Sequence, residues 1–221
     1  MNEMHMYQAV IFDMDGTILD TLDDLTHSTN YILNKYHYPL RSRDEVRQFV
    51  GNGIYRLVER AVPEGTSLQQ IDQLFDEFKE HYQLHCHENT RPYEGILELI
   101  KELKEADIKV AVVSNKAHEA VVSLSEEYFE GLFDASIGER EGIRRKPSPD
   151  SINEVLNKLN INREYAIYVG DSEVDIETAK NADLECICVS WGFRDYEQLI
   201  DSGASIIVSN TDELEALILD R

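Results

Sequence analysis

The chain has 221 residues, 42% hydrophobic and 29% charged, which suits one sizeable domain or a core with a smaller inserted one. Its 43 acidic and 21 basic residues give a net charge of −22, which argues against a nucleic-acid partner or an anionic membrane surface. A small anionic substrate stays admissible, because a metal ion and a few local cations set the field at a site.

No apolar run approaches the ~20 residues that cross a bilayer. Met1–Tyr7 has neither a basic n-region nor an apolar h-region, so no secretory signal is expected and a cytoplasmic location is. Cys86, Cys186 and Cys188 are expected as reduced thiols. The last two alternate in an apolar strand pattern and read as core; a Cys-x-Cys metal pair is the alternative.

Ala9 to Phe12 reads as a strand buried on both faces, as in parallel sheets covered by helices. Asp13, Asp15, Gly16 and Thr17 follow at its carboxyl end, where ligands of open α/β sheets bind. Two carboxylates this close repel unless a cation or a shared proton intervenes; a solvated Asp-Gly turn is the bland alternative.

From Thr21 to His87 the pattern is helical. Leu22, Leu25, Thr29, Ile32, Leu33 and Tyr36 define one amphipathic helix, ended by Pro39. Ser42-x-x-Glu45 opens a second as a capping box, and Gly51-Asn-Gly53 breaks it. Ile54, Leu57, Val58 and Ala61 resume it. Ser67-x-x-Gln70 opens a longer helix with Leu68, Ile71, Leu74, Phe75 and Phe78 on one face.

Beyond Arg91 strands and helices alternate. Strands are expected at Val110–Val113, Phe133–Gly138, Ala166–Val169, Glu185–Val189 and Ser205–Val208. Helices are expected at Ile96–Leu103, Ala117–Phe129, from Ser148 as cap with Pro149 first, Val174–Ala182 and Thr211–Leu219. The alternation implies a Rossmann-like parallel sheet core, residues 1–20 and 88–221, with an inserted α-helical cap, residues 21–87.

Three further strand ends carry polar residues. Ser114 and Asn115 offer a hydroxyl, an amide and backbone N–H groups at a helix start, a site for an anion or simply a turn. Arg144-Arg-Lys-Pro-Ser-Pro149 is the most basic stretch, and Lys146 would neutralise a phosphate or a carboxylate there. Asp171 and Asp175, which would serve equally as helix caps, add the hard oxygens that Mg²⁺ prefers.

Read as one site, the four strand ends define a mechanism. Asp13 attacks phosphorus to form an aspartyl-phosphate. Asp15 protonates the leaving oxygen, then activates water. Asp13, Asp171 and the backbone carbonyl of Asp15 hold Mg²⁺. Ser114, Asn115, Thr17 and Lys146 meet the phosphate, and Asp175 orients metal ligands or Lys146.

Asp13-Met-Asp-Gly-Thr17, Ser114, Lys146-Pro147 and Gly170-Asp171-Ser-x-x-Asp175 together resemble the four ordered motifs of the haloacid dehalogenase (HAD) superfamily. The resemblance implies a Rossmann-like core, Mg²⁺ dependence and a cap inserted after the first motif. Asp20-Thr-Leu-Asp-Asp-Leu25, Phe49 to Ala61, Trp191-Gly-Phe193 and Gly203-Ala204 resemble the phosphoglycolate phosphatase group.

True dehalogenases lack a counterpart of Asp15. β-Phosphoglucomutases carry a histidine where Leu25 stands. Phosphonate hydrolases need a cap lysine in a motif that neither Lys35 nor Lys79 matches. The expectation is a phosphatase for a small phosphate ester, phosphoglycolate first, with Asn52 and Arg56 of the cap touching the substrate. A nucleotidase, sugar phosphatase, pyrophosphatase or mutase-like phosphotransferase are the alternatives. A non-enzymatic phospho-acceptor switch or a scaffold on the same core are readings from other classes. Monomer and dimer stay equally open.

Overall fold

The computed structural model describes residues 7–219; the stretch read as lacking a leader lies outside these, apart from Tyr7. The chain separates into two compact units, Met1–Ile18 with Pro92–Arg221, and Leu19–Arg91.

In chain order β1 (Ala9–Phe12) and β2 (Leu19–Asp20) lead to four helices: α1 (Leu22–Lys35), α2 (Arg43–Phe49), α3 (Ile54–Ala61) and α4 (Leu68–His85). Next come β3 (Arg91–Pro92), α5 (Ile96–Glu105), β4 (Lys109–Ala117), α6 (His118–Phe129), β5 (Ala135–Glu139) and α7 (Asp150–Leu159). The last are β6 (Ala166–Gly170), α8 (Glu173–Asn181), β7 (Glu185–Val189), α9 (Tyr196–Asp201), β8 (Ile206–Val208) and α10 (Thr211–Leu219). The two-residue strands β2 and β3 pair with each other. They are too short to leave a periodic signal, and the sequence reading missed them.

In the first unit six strands run in the order β5-β4-β1-β6-β7-β8, every pair parallel. This is the α/β Rossmann-like core. All four residues of β1 are fully buried, as its unbroken apolar run requires. Ile152, Val155 and Leu156 of α7 pack with Ala9, Ile11, Ala111, Val113 and Tyr168. Each isoleucine, leucine or valine among them, when fully buried, contributes ~1.5–3 kcal/mol.

Phe12 lies opposite both Val112 and Val169, so the ends of β1, β4 and β6 are level. The chain fills β4 and β5 on one side of β1, then β6, β7 and β8 on the other. That reversal opens a crevice at the carboxyl ends of the strands.

Several expected boundaries in this unit move, most by a residue or two, and two of them bear on the site. β4 continues through Ala117, its register with β5 shifting between Val113 and Ala117, so Ser114 and Asn115 lie within a strand and not at a helix start. α7 starts at Asp150 with Pro149 as its cap, one residue later than expected from Ser148. Cys188 is buried and Cys186 half-buried, both free, with Sγ atoms 3.9 Å apart.

The second unit is helical. Both expected capping boxes form, Ser42 with Glu45 and Ser67 with Gln70. α1 stops before Pro39. His37, at φ +57°, donates its N–H to Asn34 at 3.1 Å, and Tyr38 donates to Leu33 at 2.9 Å, the two bonds of a Schellman ending. α4 buries Ile71, Leu74, Phe78 and Tyr82. Leu68, expected on that face, is 69% exposed, since it stands at the helix's first position, a turn before the packed stretch.

Candidate active site

Four strand ends converge in the first unit. Asp13, one residue beyond β1, is held by its own N–H, which donates to Val169 O at 2.8 Å. Gly16 turns the chain at φ +88°, and a Cβ there would lie 2.3 Å from Asp171 Oδ2, so glycine is required on both counts. Thr17 is fully buried, and its hydroxyl donates to Asp171 Oδ1 at 3.5 Å.

Lys146 is buried, and its ammonium has three hydrogen-bond partners. It donates to Asp13 Oδ1 at 2.7 Å, to Asp175 Oδ1 at 2.8 Å and to the Tyr168 hydroxyl at 3.0 Å. Its loop is anchored by Asn115. The Asn115 Oδ1 accepts from Lys146 N–H at 2.7 Å, and its Nδ2 donates to Lys146 O at 3.1 Å. The amide expected to meet substrate thus holds the lysine's backbone. Arg144 pairs with Asp150 at 2.8 Å on the surface.

Asp175 carries the most bonds. Besides Lys146, its Oδ1 accepts from the Tyr168 hydroxyl at 2.9 Å. Its Oδ2 accepts from Ser172 Oγ at 2.6 Å and from the N–H groups of Asp171 and Ser172 at 3.2 Å each. This is also the capping box of α8. Asp171 Oδ2 accepts from Phe193 N–H at 2.6 Å. Gly192, just before, is so close that a Cβ would lie 2.3 Å from Gly16 O and 2.4 Å from Asp171 Oδ2.

Carboxylate oxygens of Asp13, Asp171 and Asp175 lie within 4.8 Å of one another, all three residues buried. Burial, then the Asp175 charge, pushes Asp13 well above the usual carboxylate range despite Lys146. The same two causes push Asp171 up to about 7, against the Phe193 N–H and Arg194. Asp175 itself stays low, because Lys146 and its hydrogen bonds outweigh its burial. Burial alone would lower Lys146, yet Asp13 and Asp175 raise it, so it stays protonated.

Three buried carboxylates around one ammonium leave a deficit of positive charge. A hard divalent cation on these oxygens fits that deficit. Asp15 stands apart from the cluster: its Oδ1 is 3.1 Å from Lys116 Nζ, and Ser114 Oγ donates to its Oδ2 at 3.5 Å.

Sequence reasoning missed Lys116, Tyr168 and Arg194. Lys116 follows Ser114 by two, the strand period, which was a readable signal. Tyr168 sits inside an apolar strand and reads as core. Arg194, buried and paired with Glu173 at 2.7 Å, had no local signal. Asn52 and Arg56 belong to the second unit. Asn52 is half-buried in the Gly51–Gly53 loop, and Arg56 is exposed on α3 and paired with Glu59.

Residues 10–189 match the family model described as haloacid dehalogenase-like hydrolase. The chain belongs to that family. Along nearly its whole length it is also similar to proteins named phosphoglycolate phosphatase, which makes it a phosphatase within the family. One from Mesorhizobium japonicum is 30% identical, over 96% of this chain and 95% of that protein. A crystal structure of a candidate phosphoglycolate phosphatase from Lactobacillus delbrueckii is 39% identical, with TM-score 0.94 over 99% of this chain and 100% of that one. CbbY from Rhodobacter sphaeroides, solved in complex with phosphate, is 25% identical with TM-score 0.79, over 98% of this chain and 100% of that one.

Proposed function

We propose that the chain hydrolyses a small phosphate monoester, phosphoglycolate first among candidates, by an Mg²⁺-dependent mechanism through an aspartyl-phosphate on Asp13. The observation that carries this reading is the contact of Lys146 with Asp13 and Asp175 at once. It sets a protonated ammonium against the nucleophilic carboxylate, which offsets part of the burial and Asp175 repulsion that raise Asp13.

Asp13 Oδ attacks phosphorus and the ester oxygen leaves. Asp15 delivers a proton to that oxygen, then takes one from the water that releases phosphate. Ser114, with Lys146, meets the phosphoryl oxygens as negative charge builds. Asp175 holds Lys146 and closes the first turn of α8. Asp13 and Asp171, with the backbone carbonyl of Asp15, would hold the metal. When bound it supplies the charge that lets an anionic phosphate approach an anionic nucleophile. Its identity as Mg²⁺ rests on the all-oxygen donor set.

We assign substrate choice to the second unit, read as a cap, with Asn52 and Arg56 as its contacts. Phosphoglycolate is favoured because the curated relatives carry that name. A nucleotide, a sugar phosphate and pyrophosphate are the competitors.

The test is phosphate release from a panel of these esters with Mg²⁺ and with EDTA, on the protein and on Asp13→Asn. Metal-dependent turnover that disappears in Asp13→Asn supports the mechanism, and the ranking of esters supports or replaces phosphoglycolate. Undiminished turnover by Asp13→Asn sinks the covalent route.

A further inference from the structure

Lys116 is a second buried lysine among these strand ends, and the mechanism above leaves it without a task. Its side chain is 3% exposed. Burying an ammonium costs several kcal/mol unless a partner compensates. Asp15 is such a partner: its Oδ1 lies 3.1 Å from Lys116 Nζ.

The backbone under Lys116 is fixed on two sides. Its N–H donates to Ser114 Oγ at 3.1 Å. Its carbonyl packs so tightly on Gly138 that a Cβ there would stand 2.6 Å away. Strand period carries Ser114 and Lys116 to the same side of β4, and both side chains meet Asp15.

The two aspartates of the first motif therefore face different lysines, Asp13 facing Lys146 at 2.7 Å and Asp15 facing Lys116 at 3.1 Å. Lys116 engages one oxygen of Asp15. The other, Oδ2, has the long 3.5 Å approach of the Ser114 hydroxyl. The ion pair thus falls on Oδ1, while Oδ2, with only the long Ser114 approach, is the oxygen placed to carry a proton.

We propose that Lys116 is a positioning residue, which acts through Asp15 by fixing the carboxylate whose second oxygen serves as acid and base. This rests on the reading of Asp15 given above. Lys116 need touch no substrate: the effect is on how often Asp15 is correctly aimed. A misplacement of about 1 Å in such a group costs on the order of 100-fold in rate.

The experiment compares Lys116→Met, Lys116→Arg, Asp15→Asn and the double variant Asp15→Asn/Lys116→Met on the best ester of the panel, with thermal unfolding of each by circular dichroism. Lys116→Met is expected to lose on the order of 100-fold in kcat, with KM within about twofold. Lys116→Arg regains part of the loss, because the charge returns. The double variant is no slower than Asp15→Asn, since Lys116 has nothing left to position.

A rise in KM with kcat unchanged overturns the proposal, because Lys116 would then bind substrate. So does a double variant slower than Asp15→Asn by the full Lys116→Met factor, or a Lys116→Met enzyme at full rate. Full activity in Asp15→Asn instead removes the acid–base reading itself, which separates the two failures. Should Lys116→Met not fold, Lys116→Gln is read in the same cycle by the same outcomes.

Discussion

Lys146 and Asp175 are joined at 2.8 Å, and the same Asp175 carboxylate closes the first turn of α8 through Ser172. A helix cap and a site lysine thus share one side chain, and fold and site stand or fall together here. Asp175→Ala is expected to cost about 3 kcal/mol in unfolding free energy, because Lys146 and the N-terminal N–H groups of α8 lose their acceptor inside the protein. Urea unfolding measures this, and phosphate release is expected to fall in parallel. A stable but inactive Asp175→Ala would mean that the cap is dispensable and that only the lysine needs the carboxylate.

Asp171, pushed up to about 7 by burial and by the Asp175 charge, sets a pH dependence for the metal. A proton on Asp171, or on the likewise raised Asp13, competes with a divalent ion, so apparent Mg²⁺ affinity is expected to climb as pH rises through about 7. The stability of the metal-free protein runs the other way. A carboxyl whose folded value is raised binds protons more readily in the folded chain, so this contribution weakens as pH rises from about 4 through about 7. Calorimetric Mg²⁺ titrations and metal-free urea curves from about pH 5 to about 8 check both slopes. A flat Mg²⁺ affinity over that range would remove Asp171 as a ligand.

Gly192 and Gly65 make a controlled pair. Gly192→Ala would drive a Cβ to 2.3 Å from Gly16 O and 2.4 Å from Asp171 Oδ2. Gly65, at φ +86°, has no atom within 4 Å of its would-be Cβ. Gly192→Ala is expected to displace the Asp171 carboxylate and weaken both Mg²⁺ binding and turnover. Gly65→Ala is expected to cost only about 1 kcal/mol of backbone strain, with unchanged turnover. Equal effects from the two substitutions would mean that the crowding around Asp171 is relieved elsewhere.

Asp24, in the second unit, is 1% exposed and accepts from the N–H of Asn89 at 3.0 Å and of Thr90 at 2.9 Å, as well as from both their side chains. Burial pushes this carboxyl up, but the donors of Asn89 and Thr90 outweigh it and hold it below the ordinary range. A depressed folded value means that its contribution is complete above about pH 4 and is lost as pH falls through the folded value. Asp24→Ala is expected to loosen the tie between α1 and the chain after α4, by about 2 kcal/mol. Hydrogen exchange at Asn89 and Thr90 reads this directly. Unchanged protection there would show the tie to be redundant.

Much of the site was legible because its chemistry sits at strand ends that local patterns mark. An apolar run followed by Asp13 and Asp15, another followed by Ser114, and Gly170-Asp171 after a third each announce a polar group at the edge of a buried sheet. Asn115 and Thr17 were legible as polar residues near the crevice but not in what they hold. Whether an amide meets substrate or clamps the loop of Lys146 depends on which loop lies beside it, and no local pattern records that. Leu68 failed for a related reason: helical phase gives a face, not the point at which packing on that face begins.

The sequence by itself determined the alternation of strands and helices, the helical stretch after the first strand and which polar groups stand at the strand ends, because periodicity, capping and turn chemistry act over a few residues. Tertiary structure alone decided the strand order that puts β1 between β4 and β6. It also decided the pairing of each aspartate with its own lysine, the carboxylate crowding around Lys146 and the Phe193 N–H on Asp171. These contacts join residues far apart in the chain, and their geometry is set by how buried surfaces pack against one another.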